Sequence, residues 1–122
     1  MHLLPDLPMT SSSFKTISVT ELANCMAAEE KIQMIDVREP EELAIASLPN
    51  FANLPLSQFA EWSEQLATQL DPHTETIVIC HHGIRSAQMC QWLMHQGFTN
   101  VSNVVGGIEE YAARVDSTIP RY

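Results

Sequence analysis

Positive charge is scarce in this chain of 122 residues, and long apolar runs are missing. Six lysines and arginines stand against 15 aspartates and glutamates, which gives a net charge of −9. Nucleic acids and anionic membrane surfaces are bound through basic patches, so neither is expected as a partner. No apolar run approaches the roughly 18 residues that span a bilayer, which argues against a membrane protein.

Cysteine is also scarce, with only Cys25, Cys80 and Cys90 in the chain. Because the number is odd and no basic, apolar leader begins the sequence, we expect free thiols and a cytoplasmic location. Cys25 and Cys90 lie in helical patterns and are predicted to be small buried side chains, with a Cys80–Cys90 disulfide as the weaker alternative. No cysteine pair has the spacing of zinc ligands, and neither a metal nor a cofactor is expected.

The length and composition predict one globular domain. Apolar residues make up 45% of the chain, an ordinary fraction for a globular protein. Residues 1–13 contain Pro5, Pro8 and three consecutive serines, so they are predicted to form a flexible lead-in. The folded domain is expected to span residues 14–122, a length that suits one core, and to be a monomer.

Strand-like and helix-like segments alternate along the chain. The predicted strands are residues 14–18, 34–37, 51–54, 76–79 and 101–104. The predicted helices are residues 20–29, 41–46, 57–70, 86–96 and 108–113, with Thr20, Ser57 and Ser86 as N-caps and Gly97 ending the fourth. This alternation predicts an α/β fold with a mostly parallel sheet and helices on both faces. Ligands of such sheets bind beyond the carboxyl ends of the strands, where residues 36–38 and Cys80 lie.

The seven residues from Cys80 to Ser86 combine several features that activate a thiol. A thiol is nucleophilic only as the thiolate, which backbone amides, a helix N-terminus and a nearby cation all favour. The run follows the most apolar strand and precedes a helix, so amides at that junction are expected to face Cys80. Gly83 allows a tight loop, Arg85 provides a fixed positive charge for an anion, and Ser86 adds a hydroxyl.

Two interpretations stay open for His81 and His82 within this run. They contact the substrate or add positive charge, or they are ordinary exposed loop residues. No third ligand follows them, so the pair is a poor metal site.

Four motifs, in order along the chain, resemble those of the single-domain rhodaneses, the thiosulfate sulfurtransferase family. They are Asp36-Val37-Arg38-Glu39, Asn53-Leu54-Pro55-Leu56, the loop with Cys80, Gly83, Arg85 and Ser86, and Val105-Gly106-Gly107-Ile108. The resemblance covers about residues 15–122. It implies the rhodanese-like three-layer α/β/α fold with a five-stranded, mainly parallel sheet. Three places depart from the family: His81 replaces an arginine often found beside the cysteine, residues 46–51 lack a histidine and two glycines, and Tyr111 stands where a tryptophan is common.

The resemblance implies a sulfurtransferase with Cys80 as the catalytic residue. Its thiolate takes sulfane sulfur from a small anionic donor such as thiosulfate, or from a persulfide, and the Cys80 persulfide passes it to cyanide or to a thiol, including that of an acceptor protein. The rest of the loop is expected to bind the substrate: His81, His82, Gly83, Ile84, Arg85 and Ser86. Asp36 and Arg38 are expected to support the loop by hydrogen bonds and an ion pair. The missing arginine is expected to weaken binding of a doubly charged donor.

Two other functions stay open at this point. Phosphatases and arsenate reductases of the same fold also use a cysteine and an arginine, with five residues between them. Here four residues separate Cys80 from Arg85, and the smaller ring suits a single sulfur atom better than a phosphate. The other alternative is a sulfur-carrier or regulatory binding module with little turnover, whose acidic surface docks a basic partner.

Overall fold

A computed structural model describes residues 14–28 and 30–122. The predicted lead-in, residues 1–13, lies outside the described residues. The strands are β1 (Lys15–Ile17), β2 (Gln33–Asp36), β3 (Ala52–Asn53), β4 (Thr76–Ile79) and β5 (Val101–Val104). The helices are α1 (Val19–Ala27), α2 (Pro40–Ile45), α3 (Phe59–Trp62), α4 (Leu66–Gln69), α5 (Ile84–His95) and α6 (Gly107–Arg114). None of the helices in this part of the chain has the length and hydropathy needed to cross a membrane.

The five strands form one sheet in the order β1-β5-β4-β2-β3, and every pair is parallel. The expectation of a five-stranded, mainly parallel sheet is therefore confirmed. Strand β4 lies at the centre with all four residues buried, as expected of a strand that is covered on both faces. Asp36 of β2 is in register with Ile79 of β4. The residues that follow these strands, Val37 and Cys80, therefore begin side by side at one edge of the sheet.

Helices cover both faces of the sheet, so the predicted three layers are present. Side chains alternate along a strand, and Val78 faces one core while Ile77 faces the other. The first core contains Trp62 of α3 and Met89 of α5. The second contains Ile108 of α6. The two faces are thus closed by different helices.

The start of α1 differs from the prediction. Ser18, not Thr20, is the N-cap, because the Ser18 hydroxyl accepts a hydrogen bond from the Glu21 N–H at 3.1 Å. The Glu21 carboxylate accepts in return from the Ser18 N–H at 2.9 Å. This reciprocal capping box satisfies two otherwise unpaired amides and begins the helix at Val19.

The long helix predicted over residues 57–70 is broken into short pieces. Helices α3 and α4 are each preceded by a 3-10 helix, Leu56–Gln58 and Ser63–Gln65. The N–H groups of Phe59 and Leu66 bond to carbonyls three residues back, which tightens the chain at both places. Ser57 lies inside the first 3-10 helix, so its assignment as an N-cap is wrong.

Helix α5 begins at Ile84, two residues earlier than predicted. Its N-cap is Gly83, whose φ of +102° is in the left-handed region that glycine tolerates. Ser86 therefore lies within the first turn, and its assignment as an N-cap is wrong. At the other end Gly97 has a φ of +98° and its N–H donates to the Met94 carbonyl, as predicted for a residue that ends a helix.

Candidate active site

Cys80 lies directly after β4, and its sulfur is buried against the start of α5. The residue is 1% exposed. Its Sγ accepts a hydrogen bond from the Gly83 N–H at 3.0 Å, and the Ser86 Oγ lies 3.2 Å from it. Several loop amides were expected to bond to the sulfur. Within residues 14–28 and 30–122, one backbone amide does so, that of Gly83. The sulfur is thus held by one amide and one hydroxyl from its own loop.

The Gly106-Gly107 segment, which follows β5 and begins α6, holds the cysteine loop in place. The Ile108 N–H donates to the Cys80 carbonyl at 2.9 Å, and the Glu109 N–H donates to the His81 carbonyl at 3.1 Å. A Cβ on Gly107 would lie 2.4 Å from each of those two carbonyl oxygens. Only glycine therefore lets α6 approach the loop, which is the physical reason for this motif.

Arg85 is ion-paired with Glu42 of α2. Its Nη1 and Nη2 donate to the two carboxylate oxygens of Glu42 at 2.7 and 2.9 Å. These hydrogen bonds lower the pKa of Glu42 to about 2 and raise the pKa of Arg85. Arg85 was predicted to offer a fixed positive charge to an anionic substrate, and in the structure that charge is paired with a carboxylate. Glu42 was missed, although it follows the Asp-Val-Arg-Glu motif by three residues.

Asp36 and Arg38 form a buried ion pair beside the loop. The Arg38 Nη2 lies 2.7 Å from Asp36 Oδ2 and also donates to the Ala46 carbonyl at 2.9 Å. The side-chain amide of Asn53 donates to the Arg38 carbonyl at 2.8 Å, which gives the Asn-x-Pro-Leu motif its role. Arg38 is linked to the cysteine loop through Tyr122, because the Arg38 Nη1 donates a hydrogen bond to the Tyr122 hydroxyl at 2.8 Å.

Tyr122 joins these charged pairs and covers part of the loop. Its hydroxyl donates to Glu42 Oε1 at 2.9 Å, and its ring stacks on His81 with centroids 3.9 Å apart. His81 in turn stacks on His82 at 4.0 Å. Burial, followed by the interaction with His82, lowers the pKa of His81, which favours its neutral imidazole. Sequence reasoning gave Tyr122 no part in the site.

The remaining predicted loop residue, Ile84, and the other two cysteines make no hydrogen bond to the Cys80 sulfur among the described residues. Ile84 is 72% exposed. Cys90 is buried as predicted, and burial raises its pKa, while Cys25 is only half-buried. All three cysteines are free, so the Cys80–Cys90 disulfide is wrong. Across the described part of the chain, no group of three or more histidine, cysteine or acidic side chains could hold a metal.

Comparison with known proteins shows the family. The sequence profile of the rhodanese-like domain matches residues 18–114, and the chain belongs to this family. It is 31% identical to a rhodanese-related protein of Thermoplasma volcanium, whose crystal structure superposes with a TM-score of 0.69 over 84% of this chain and 94% of that one. The predicted family and fold are thereby confirmed.

Two curated relatives bear on function and location. A sulfurtransferase of Allochromatium vinosum is 30% identical over 79% of this chain and 86% of its own length. The chloroplastic rhodanese-like/PpiC domain-containing protein 12 of Arabidopsis thaliana is 43% identical over the whole chain, which spans 42% of that protein. The first relative supports sulfur transfer as the general function. The second overturns the expected cytoplasmic location, which rested on free cysteines and the absence of a leader.

Proposed function

We propose that the chain transfers sulfane sulfur through a persulfide on Cys80. The observation that carries this proposal is the position of the Cys80 sulfur at the carboxyl end of β4, with the Gly83 N–H and the Ser86 hydroxyl within 3.2 Å. The amide favours a negatively charged sulfur over a neutral one. The sulfurtransferase relative supports the same chemistry.

The reaction has two displacement steps at sulfur. In the first, the Cys80 thiolate attacks the outer sulfur of thiosulfate or of a persulfide, and the donor's S–S bond breaks. The bonding pair leaves with sulfite or with the donor's thiolate, and Cys80 carries the persulfide. In the second, cyanide or an acceptor thiolate attacks the terminal sulfur, and the bond to Sγ breaks to restore the Cys80 thiolate. An acceptor thiol on a partner protein fits this second step.

The Arg85–Glu42 pair bears on the choice of donor. Because the guanidinium is balanced by a carboxylate and the lowered pKa of His81 favours its neutral form, these groups offer little net positive charge at the loop. Thiosulfate carries two negative charges on its reacting group and needs such a charge more than a persulfide group, which carries one. We therefore expect persulfide donors to load Cys80 more efficiently than thiosulfate.

Mass spectrometry of the intact protein tests the proposal. After mixing with thiosulfate or glutathione persulfide, the wild type should gain the mass of one sulfur atom, and cyanide or dithiothreitol should remove it. Cys25→Ser, which changes a free cysteine away from the site, should gain it too, whereas Cys80→Ser should not. An adduct that forms without Cys80, or no adduct with either donor, contradicts the proposal.

Hydrolysis of an aryl phosphate separates the same-fold phosphatase from this function. With four residues between Cys80 and Arg85, the loop is expected to leave p-nitrophenyl phosphate intact. Phosphatase activity that disappears in Cys80→Ser would overturn the sulfurtransferase proposal.

A further inference from the structure

Ser86 lies between two acceptors but has one proton to give. Its Oγ is 3.2 Å from Cys80 Sγ and 2.5 Å from Asn103 Oδ1, and the residue is fully buried. A hydroxyl donates a single hydrogen and accepts through its lone pairs. The proton of Ser86 is therefore directed to one of the two neighbours at a time.

The orientation of Asn103 decides which neighbour receives that proton. Its Nδ2 donates to the Gly83 carbonyl at 3.0 Å, and turning the amide over would place Oδ1 against that carbonyl oxygen. Oδ1 therefore faces Ser86, and an amide oxygen can only accept. Because Asn103 is 6% exposed, its oxygen has no other partner among the described residues if Ser86 turns its proton to the sulfur.

We propose that Asn103 is a positioning residue that holds the Ser86 proton away from Cys80. Ser86 then presents a lone pair to the sulfur and accepts a hydrogen bond from the Cys80 thiol. The thiolate keeps the bond from the Gly83 N–H, but it gains a second from Ser86 only when Asn103 loses one. The inner sulfur of a persulfide carries no charge, so it needs no second hydrogen bond from Ser86. Asn103 thus favours the sulfur-loaded cysteine over the free thiolate, an inference that rests on the proposed role of Cys80.

Other charged and titratable groups surround the loop and are left unchanged by the test. They are Asp36 and Arg38 at the end of β2, Glu42 on α2, His81 and His82 on the loop, Arg85 and Cys90 on α5, Glu109 on α6, and Tyr122. A change confined to Asn103 therefore reports on the Ser86 proton and on the Gly83 carbonyl.

The test measures the rate at which iodoacetamide alkylates Cys80 as a function of pH, scored on the peptide that contains Cys80. Asn103→Leu removes the acceptor and keeps a similar volume. The midpoint of the profile should move to lower pH by about half a unit to one unit, a three- to tenfold larger thiolate fraction below the midpoint. Asn103→Ala should move it the same way and serves where the leucine disturbs folding.

The sign of the shift distinguishes proton control from simple support of the loop. If Asn103 only tethered the Gly83 carbonyl, its loss would loosen the Gly83 N–H at the sulfur and raise the midpoint. Combined with Ser86→Ala, Asn103→Leu should cause no further shift, because no hydroxyl proton is left to redirect. Ser102→Ala is the control on the same strand, since the buried Ser102 hydroxyl bonds to none of the described residues.

The proposal is overturned if the midpoint stays in place or rises in both Asn103→Leu and Asn103→Ala. It is also overturned if Asn103→Leu still shifts the midpoint in the Ser86→Ala background. The alkylation readout needs no sulfur donor. Failure here is therefore distinguishable from failure of the proposed function, which is scored by the sulfur adduct.

Discussion

Replacing Glu42 by glutamine should turn Arg85 into a free cation for the sulfur donor. In the wild type the carboxylate takes two hydrogen bonds from the guanidinium and neutralises it. The glutamine oxygen can still accept from Arg85, so the loop is expected to keep its position while the negative charge is lost. Glu42→Gln should therefore increase the efficiency with which thiosulfate loads Cys80.

The size of the increase follows from the exposure of the pair. Two unit charges about 4 Å apart interact by about 4 kcal/mol at an effective dielectric constant near 20 and by about 1 kcal/mol in water. The Arg85 side chain is 34% exposed and that of Glu42 is 20% exposed, so screening by solvent places the gain toward the lower limit. A gain of about 1–2 kcal/mol raises kcat/KM for thiosulfate by about five- to thirtyfold. A singly charged persulfide should gain less.

Steady-state kinetics with thiosulfate and cyanide measures this change. Glu110→Gln is the matched control, because it removes the same charge from the exposed pair with Arg114 on α6 and should leave kcat/KM within about twofold of the wild type. The gain in Glu42→Gln should shrink as salt is added, since exposed charges are screened. A kcat/KM for thiosulfate that is unchanged or lower in a folded Glu42→Gln protein would refute the reasoning.

Two further predictions concern stability. Gly107→Ala places a Cβ 2.4 Å from the Cys80 and His81 carbonyl oxygens. The control is Gly97→Ala, because Gly97 has a φ of +98° but open space around it. Gly107→Ala should lower the free energy of unfolding by at least about 2 kcal/mol more than Gly97→Ala does. Urea unfolding of both variants checks this, and equal losses would contradict it. Hydrogen bonds from Arg85 lower the pKa of Glu42 to about 2 from its usual 4.5, so the carboxylate stabilises the folded state above about pH 4.5 and loses this effect as the pH falls toward 2. The stability gap between wild type and Glu42→Gln should therefore be smaller at pH 3 than at pH 6, and a constant gap would disprove that assignment.

The part of the site that could be predicted is local in the chain. Cys80, Gly83 and Ser86 lie within seven residues, and a strand followed by a helix brings them together whatever the rest of the fold does. Glu42 is 43 residues from Arg85, and Tyr122 is 80 residues from Glu42. Nothing in the local pattern predicts such pairs, because they depend on how α2 and the last residues pack around the carboxyl edge of the sheet.

For the fold too, some features could be predicted from the sequence and others could not. Alternation of strands and helices was enough to predict a parallel sheet covered on both faces, because only helices bury both faces of such a sheet. Helix boundaries were missed where competing hydrogen bonds decide them. Ser18 exchanges bonds with Glu21 and starts α1 earlier, and the left-handed Gly83 starts α5 before Ser86. Each of these depends on backbone geometry that residue type alone does not determine.

The residues of the loop provide the sulfur and its hydrogen bonds, whereas residues outside the loop affect its net charge and the direction of the Ser86 proton. Cys80 and the two groups that hydrogen-bond to its sulfur come from the loop itself, so they are set by its own sequence. The net charge at the loop depends on Glu42, which pairs with Arg85, and in our proposal the direction of the Ser86 proton depends on Asn103, whose Oδ1 faces Ser86. Under the proposed function, two proteins with the same seven loop residues can therefore differ in the sulfur donor they prefer. The donor preference is then to be sought at position 42, and the reactivity of the thiol at position 103, rather than in the loop alone.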